Sequence, residues 1–151
     1  MALAAHFQLA TRRGDATARM ATARQLADAR AGDPPTLLAA AKLLDGVGDH
    51  ARAAVCYEVA LDQAAQPDGA LLGQIGIARL RAGNLDGAEA AFTAAASLRP
   101  SDARPVYYLG VIARKRGDLA SARVRFTRAL VLAPGMPKAA RALAELDVPH
   151  P

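Results

Sequence analysis

The sequence predicts an all-α fold of repeated antiparallel helix pairs, on the evidence of its alanine content, its few aromatic residues and its glycine spacing. Alanine, the residue with the highest helix propensity, occupies 39 of the 151 positions. Tryptophan is absent and only three Phe and three Tyr are present, so the aromatic side chains that β-sheets favour are scarce. A glycine followed by Asp or Asn recurs every 34 or 35 residues, at Gly14, Gly48, Gly83 and Gly117.

Each of these four dipeptides predicts a corner between two helices. Glycine readily adopts the left-handed conformation that ends a helix, and a following Asp or Asn side chain can cap the next helix. Proline follows the third and fourth glycines by 17 residues, at Pro100 and Pro134, where it would close each unit. A period of 34 or 35 residues with a corner at its centre is typical of stacked helical repeats.

The third and fourth units resemble the tetratricopeptide repeat family. The family's Leu-Gly step on the first helix of each repeat is matched by Ile75-Gly76 and Leu109-Gly110. Its small, aromatic and small residues on the second helix are matched by Ala88, Phe92 and Ala95, and again by Ala122, Phe126 and Ala129. We expect each glycine to face an alanine of the second helix, and the aromatic ring to fill the gap to the next repeat.

The resemblance implies a right-handed α-solenoid of about three to four repeats. The first ("A") helix of each pair would line a concave face, and the second ("B") helix a convex one. A terminal repeat has no neighbour on one side, so a degenerate first unit with a partly polar face is expected. We predict one domain over 1–147, divided into a degenerate repeat at about 1–33, repeats at 34–68, 69–102 and 103–136, and a capping helix at 137–147, followed by a disordered tail at 148–151.

Composition excludes several classes of protein. A single cysteine cannot form an internal disulfide, so a secreted disulfide scaffold is excluded. With 52% hydrophobic and 22% charged residues, the chain does not have the composition of a disordered protein. No apolar run approaches the roughly 18 residues that a membrane span requires, and no signal-peptide pattern opens the chain. We expect a cytoplasmic protein without membrane insertion.

The sequence shows no pattern for catalysis. The segment 46–51 matches the letters of a dinucleotide-binding fingerprint, but a predicted helix rather than a strand precedes it. Cys56 is best interpreted as a buried structural thiol. The histidines are too far apart in the sequence to suggest a metal site: His6, His50 and His150. We therefore predict no enzymatic activity, no cofactor and no metal.

A binding surface is the remaining candidate site. The family binds partner segments in its concave groove, and the matching positions here are Lys42, Gln74, Ile77, Arg81, Arg104, Tyr107, Val111, Arg114, Lys115, Lys138 and Arg141. Residues 103–151 carry a net charge of +6, whereas residues 34–68 carry −3. Because Arg can bind a carboxylate through two hydrogen bonds, an acidic segment or a free C-terminus is the favoured ligand. The alternative interpretation is that these charges only solubilise an exposed surface.

We therefore predict a protein–protein interaction scaffold or adaptor whose partner is a protein or peptide. The clamp that some repeats use for the acidic tails of heat-shock chaperones requires an asparagine where Lys42 stands, and Gln74 is the only nearby amide, so that subtype is not supported. An accessory or regulatory arm of a larger enzyme and a self-assembling repeat module are the alternatives. Nucleic acid is disfavoured, because residues 34–68 carry a net charge of −3 and the one aromatic residue among the arginines of the last B helix, Phe126, is expected to pack between repeats rather than stack on bases.

Overall fold

The chain folds into helices alone within residues 3–148, the part that the computed structural model describes. The helices in this part are α1 (Leu3–Arg13), α2 (Ala16–Ala29), α3 (Pro34–Gly46), α4 (His50–Asp62), α5 (Gly69–Arg81), α6 (Leu85–Leu98), α7 (Ala103–Lys115), α8 (Leu119–Leu132) and α9 (Pro137–Leu146). The odd-numbered helices are A helices and the even-numbered ones are B helices. The predicted all-α repeat fold is confirmed. His150 and the predicted tail, except Val148, lie outside the described residues.

The four predicted corners are present between the helices of each pair. All four corner glycines have a φ angle between 68 and 84°, the left-handed region in which a residue without Cβ is favoured. Three of the residues that follow them accept a hydrogen bond from a backbone N–H in the next helix: Asp15, Asn84 and Asp118. Asp49 makes no such bond, and its carboxylate instead accepts from Arg52 Nη1 at 3.2 Å.

The residue that lies against each A-helix glycine within a helix pair differs from the one predicted. A Cβ atom added at Gly76 would lie 2.7 Å from two ring carbons of Phe92, and one added at Gly110 would lie 2.7 Å from two ring carbons of Phe126. The expectation that each glycine faces an alanine is therefore wrong. The aromatic ring of the B helix, rather than its small residue, supplies the atoms nearest to each glycine. The ring occupies the volume that a side chain would otherwise need.

The apolar core runs along the stack rather than forming one central mass. Its N-terminal part joins side chains from α1 to α6 and includes Phe7, Leu26, Leu44 and Cys56. Smaller clusters around Phe92 and Phe126 continue it toward α9. Each helix pair thus buries its apolar face against its neighbours, as expected for a repeat protein. No helix in residues 3–148 has the length and apolarity needed to cross a membrane.

Candidate binding groove

A cavity of about 410 Å³ opens between α5, α7 and the start of α9. Apolar and aromatic side chains make up much of its wall: Ile77, Phe92, Pro105, Tyr108 and Met136. Polar side chains stand around it: Gln74, Asp102, Arg104 and Lys138. An apolar recess with a few convergent polar groups is the usual form of a ligand site.

A second cavity, of about 290 Å³, lies between α7 and α9. It is lined by Arg114, Arg141 and Glu145 and shares three residues with the first cavity: Tyr107, Tyr108 and Lys138. The two cavities therefore form one continuous surface on the A helices. We refer to this surface, from Gln74 on α5 to Glu145 on α9, as the groove.

Four aromatic rings form a contiguous cluster beneath the groove. Phe92 stacks on Tyr108 with centroids 4.8 Å apart and planes 7° from parallel. Tyr107 meets Tyr108 edge to face at 5.2 Å and tilts toward Phe126 at 5.7 Å. Such pairs each contribute about 0.5–1.5 kcal/mol beyond burial of their area. The groove floor is therefore held in place before any ligand binds.

Burial raises the pKa of the Tyr107 phenol, with the neighbouring Tyr108 as a secondary cause. The hydroxyl consequently remains protonated and neutral around neutral pH. It can donate a hydrogen bond to a ligand carbonyl or carboxylate.

Three of the predicted groove arginines are already paired with carboxylates of the same chain. Arg104 binds Asp102 through two hydrogen bonds, from Nε at 3.0 Å and from Nη2 at 2.7 Å. This contact lowers the pKa of Asp102 below its ordinary value. Arg114 Nη1 donates to Glu145 at 2.8 Å. Arg81 pairs with Asp45 of α3.

The remaining cations of the groove are on α9. Lys138 and Arg141 are both exposed, and neither forms an ion pair with any described residue. A ligand carboxylate can therefore approach these two cations without displacing a carboxylate of the chain. The positive charge available to a ligand lies at the C-terminal end of the groove rather than along its length.

The structure brings seven of the predicted site residues to the groove: Gln74, Ile77, Arg104, Tyr107, Arg114, Lys138 and Arg141. The other four lie elsewhere. Val111 packs against the cluster around Phe126, and Arg81 is in its ion pair with α3. Lys42 and Lys115 are exposed but line neither cavity.

The lining residues that sequence reasoning did not identify include three large side chains: Phe92, Tyr108 and Met136. Phe92 is expected to fill the gap to the next repeat, and it is almost fully buried while also lining the cavity. Tyr108 adjoins Tyr107 in the sequence, and a rule that selects one helix face passes over it. The paired tyrosines were the available signal, because two adjacent aromatic residues on an A helix can line both sides of a groove.

The tetratricopeptide repeat family model matches residues 74–137. The crystal structure of MamA is similar over 93% of this chain and 81% of its own, with 17% identity and a TM-score of 0.73. The second TPR domain of human RPAP3, solved in complex with the HSP70 peptide SGPTIEEVD, is similar over 77% of this chain and 99% of its own, with 22% identity and a TM-score of 0.68.

A third similar structure is the Yersinia enterocolitica type III secretion chaperone SycD in complex with a peptide of the translocator YopD. The similarity covers 74% of this chain and 90% of the SycD chain, with 17% identity and a TM-score of 0.67. No curated protein sequence matches the chain. The repeat match and the shared fold lead to one conclusion: residues 74–137 match the tetratricopeptide repeat model, and the chain has the helical-repeat fold of these structures.

Proposed function

We propose that the groove holds a segment of a protein partner, so that the chain acts as a non-catalytic interaction scaffold. The observation that carries this proposal is the continuous groove across α5, α7 and α9, with apolar walls and a preformed aromatic floor. Two of the similar structures hold a peptide. Because this groove is built on rigid helices, little binding energy is spent on ordering the site.

The partner segment we propose is acidic, with its carboxylates at the α9 end of the groove. Lys138 and Arg141 supply the charge there, because Arg104 and Arg114 are neutralised by Asp102 and Glu145. The peptide bound by human RPAP3 carries two glutamates and a terminal aspartate, which is the same chemical class of ligand. A side-chain acid or a free C-terminus would both satisfy these cations.

The proposal is tested by selecting binders from a random decapeptide library and measuring their affinity for the purified protein. We expect enrichment of acidic peptides. The double variant Lys138→Gln with Arg141→Gln should weaken binding by about 1.5–3 kcal/mol, the range for hydrogen bonds to charged groups. Thermal unfolding should barely change, since both side chains are exposed and unpaired with described residues.

The matched control is Arg125→Gln with Arg128→Gln. These two arginines of α8 are also exposed and form no ion pair with described residues, but they line neither cavity of the groove. The control should bind the selected peptides as the parent does. Failure to enrich any peptide, or an equal loss of affinity in both double variants, would contradict the proposed function.

A further inference from the structure

Gly73 lies inside α5, where glycine destabilises a helix relative to alanine, and packing does not account for it. A Cβ atom at Gly76 would meet Phe92 at 2.7 Å, and one at Gly69 would meet Arg99 at 2.9 Å. By contrast, a Cβ at Gly73 would have no neighbouring atom within 4 Å, and its φ is not in the left-handed region. The missing side chain leaves open space and serves no contact within the chain.

The open space over Gly73 is part of the groove's larger cavity, which it lines together with Ile77 and Tyr108. The equivalent positions of the neighbouring A helices, 35 residues before and 34 after, are Leu38 and Tyr107. Both of these large side chains pack against core clusters of the chain. Glycine at this position therefore leaves a recess on α5. At the equivalent positions of α3 and α7, a large side chain occupies the corresponding space.

We infer that the recess over Gly73 receives one large apolar side chain of the partner segment, next to a carboxylate that Lys138 binds. This inference rests on the proposed function and adds the side chain that anchors the peptide. The wall of the recess is formed by Ile77, Phe92 and Tyr108, which suit a leucine, methionine or phenylalanine side chain. The cavity volume of about 410 Å³ is at the small end of ligand sites, which span about 300–1,000 Å³.

Charge favours this occupant over a purely apolar one. Lys138 lines the same cavity and has no ion-pair partner among residues 3–148, while Arg104 at its edge is already bound to Asp102. A ligand that places an apolar group in the recess and a carboxylate beside it would satisfy both features. The Gln74 amide, at the same cavity, can bond to the ligand's backbone.

The smallest probe that carries both features is N-acetyl-L-phenylalanine, with N-acetyl-L-phenylalaninamide as its uncharged counterpart. Titration of ¹⁵N-labelled protein should give saturable shifts at the backbone amides of Gly73, Gln74 and Tyr108. The carboxylate form should bind several-fold more tightly than the amide form. Lys138→Gln should remove that preference and leave the binding of the amide form unchanged.

Two substitutions at Gly73 separate the recess from the stability of the helix. Gly73→Ala should raise the melting temperature, because it removes a glycine from inside a helix and its methyl group meets open space. Gly73→Leu should fill the recess and weaken binding at least tenfold without lowering the melting temperature. Gly46→Leu is the control, since its added side chain also meets open space but on α3, outside the cavity.

Absence of saturable shifts around Gly73 in the parent protein, or parent-like probe binding by Gly73→Leu, would overturn the inference. If Gly73→Leu unfolds, the inference is judged on the site of the shifts and on the Lys138→Gln result. The proposed function fails separately, if the peptide selection described above yields no binder. If the protein selects acidic peptides but does not bind the probe, the proposed function stands and the inference about the apolar anchor is wrong.

Discussion

Substitution of Gly110 tests the packing on which each helix pair depends. In Gly110→Ala the new methyl group would lie 2.7 Å from two carbons of the Phe126 ring and 3.1 Å from Cβ of Arg125. Phe126 is fully buried and has Tyr107 beside it, so the ring cannot move aside without disturbing α7. Overpacking of this kind costs about 1–3 kcal/mol, and higher helix propensity returns about 0.5–1 kcal/mol.

The difference between these two ranges is a net loss of up to about 2.5 kcal/mol for Gly110→Ala, and Gly110→Leu should lose more. For a chain of this size, 1 kcal/mol corresponds to about 2–4 °C, so Gly110→Ala should melt up to about 10 °C below the parent. Gly73→Ala is the matched control, because it makes the same change inside an A helix but meets open space. It should be more stable than the parent by about 0.5–1 kcal/mol.

Thermal unfolding followed by far-UV circular dichroism measures both variants. Opposite signs for the two substitutions would support the assigned contacts. If Gly110→Ala melted at or above the parent temperature, the glycine would not be needed for the approach of α7 to α8. If both variants shifted in the same direction, helix propensity alone would govern these positions, and the reasoning from Phe126 would be refuted.

Two further predictions concern titratable groups. The hydrogen bonds from Arg104 lower the pKa of Asp102 in the folded protein below its ordinary value of 3.8. The ionised Asp102 therefore contributes its full stabilisation above pH 3.8, and this stabilisation is lost as the pH falls through the pKa of the folded state. Asp102→Asn should therefore be less stable than the parent at neutral pH, by less than about 1 kcal/mol because Arg104 is exposed. The difference in stability should vanish when unfolding is measured well below pH 3.8. A difference that stays constant with pH would contradict the pairing of Asp102 with Arg104. Burial raises the pKa of the Cys56 thiol to about 11. A chromogenic disulfide reagent should therefore react with Cys56 at neutral pH only as fast as the chain unfolds. Rapid labelling of the native protein would contradict the burial of this thiol.

The helix corners could be predicted from sequence because they depend on local backbone chemistry. A glycine with positive φ followed by a capping Asp or Asn needs no information from the rest of the chain, and all four corner glycines adopt that conformation. The partner of Gly76 could not be predicted in the same way. Spacing shows that a small residue permits close approach, but the rotation of α6 about its axis decides whether Phe92 or an alanine faces it.

The groove was predictable in position and less so in charge. Counting along the A helices selected Ile77, Tyr107 and Lys138, which do line it, because helix periodicity determines which residues share a face. The pairing of Arg114 with Glu145 joins residues 31 apart and depends on how α9 packs beside α7. Both residues lie in the segment 103–151, so the net charge of that segment includes them without showing which cations are paired and which are free for a ligand.

The location of a bound peptide tests the central claim most directly. The measurement is a ¹⁵N chemical-shift map of the protein with a decapeptide selected from the library. The perturbed amides should cluster on α5, α7 and α9, with Gly73 and Lys138 among the largest shifts, while the outer faces of α6 and α8 stay unchanged. A map centred on the exposed face of α8 around Val124, or one spread evenly over the molecule, would contradict the assignment of the groove as the binding surface.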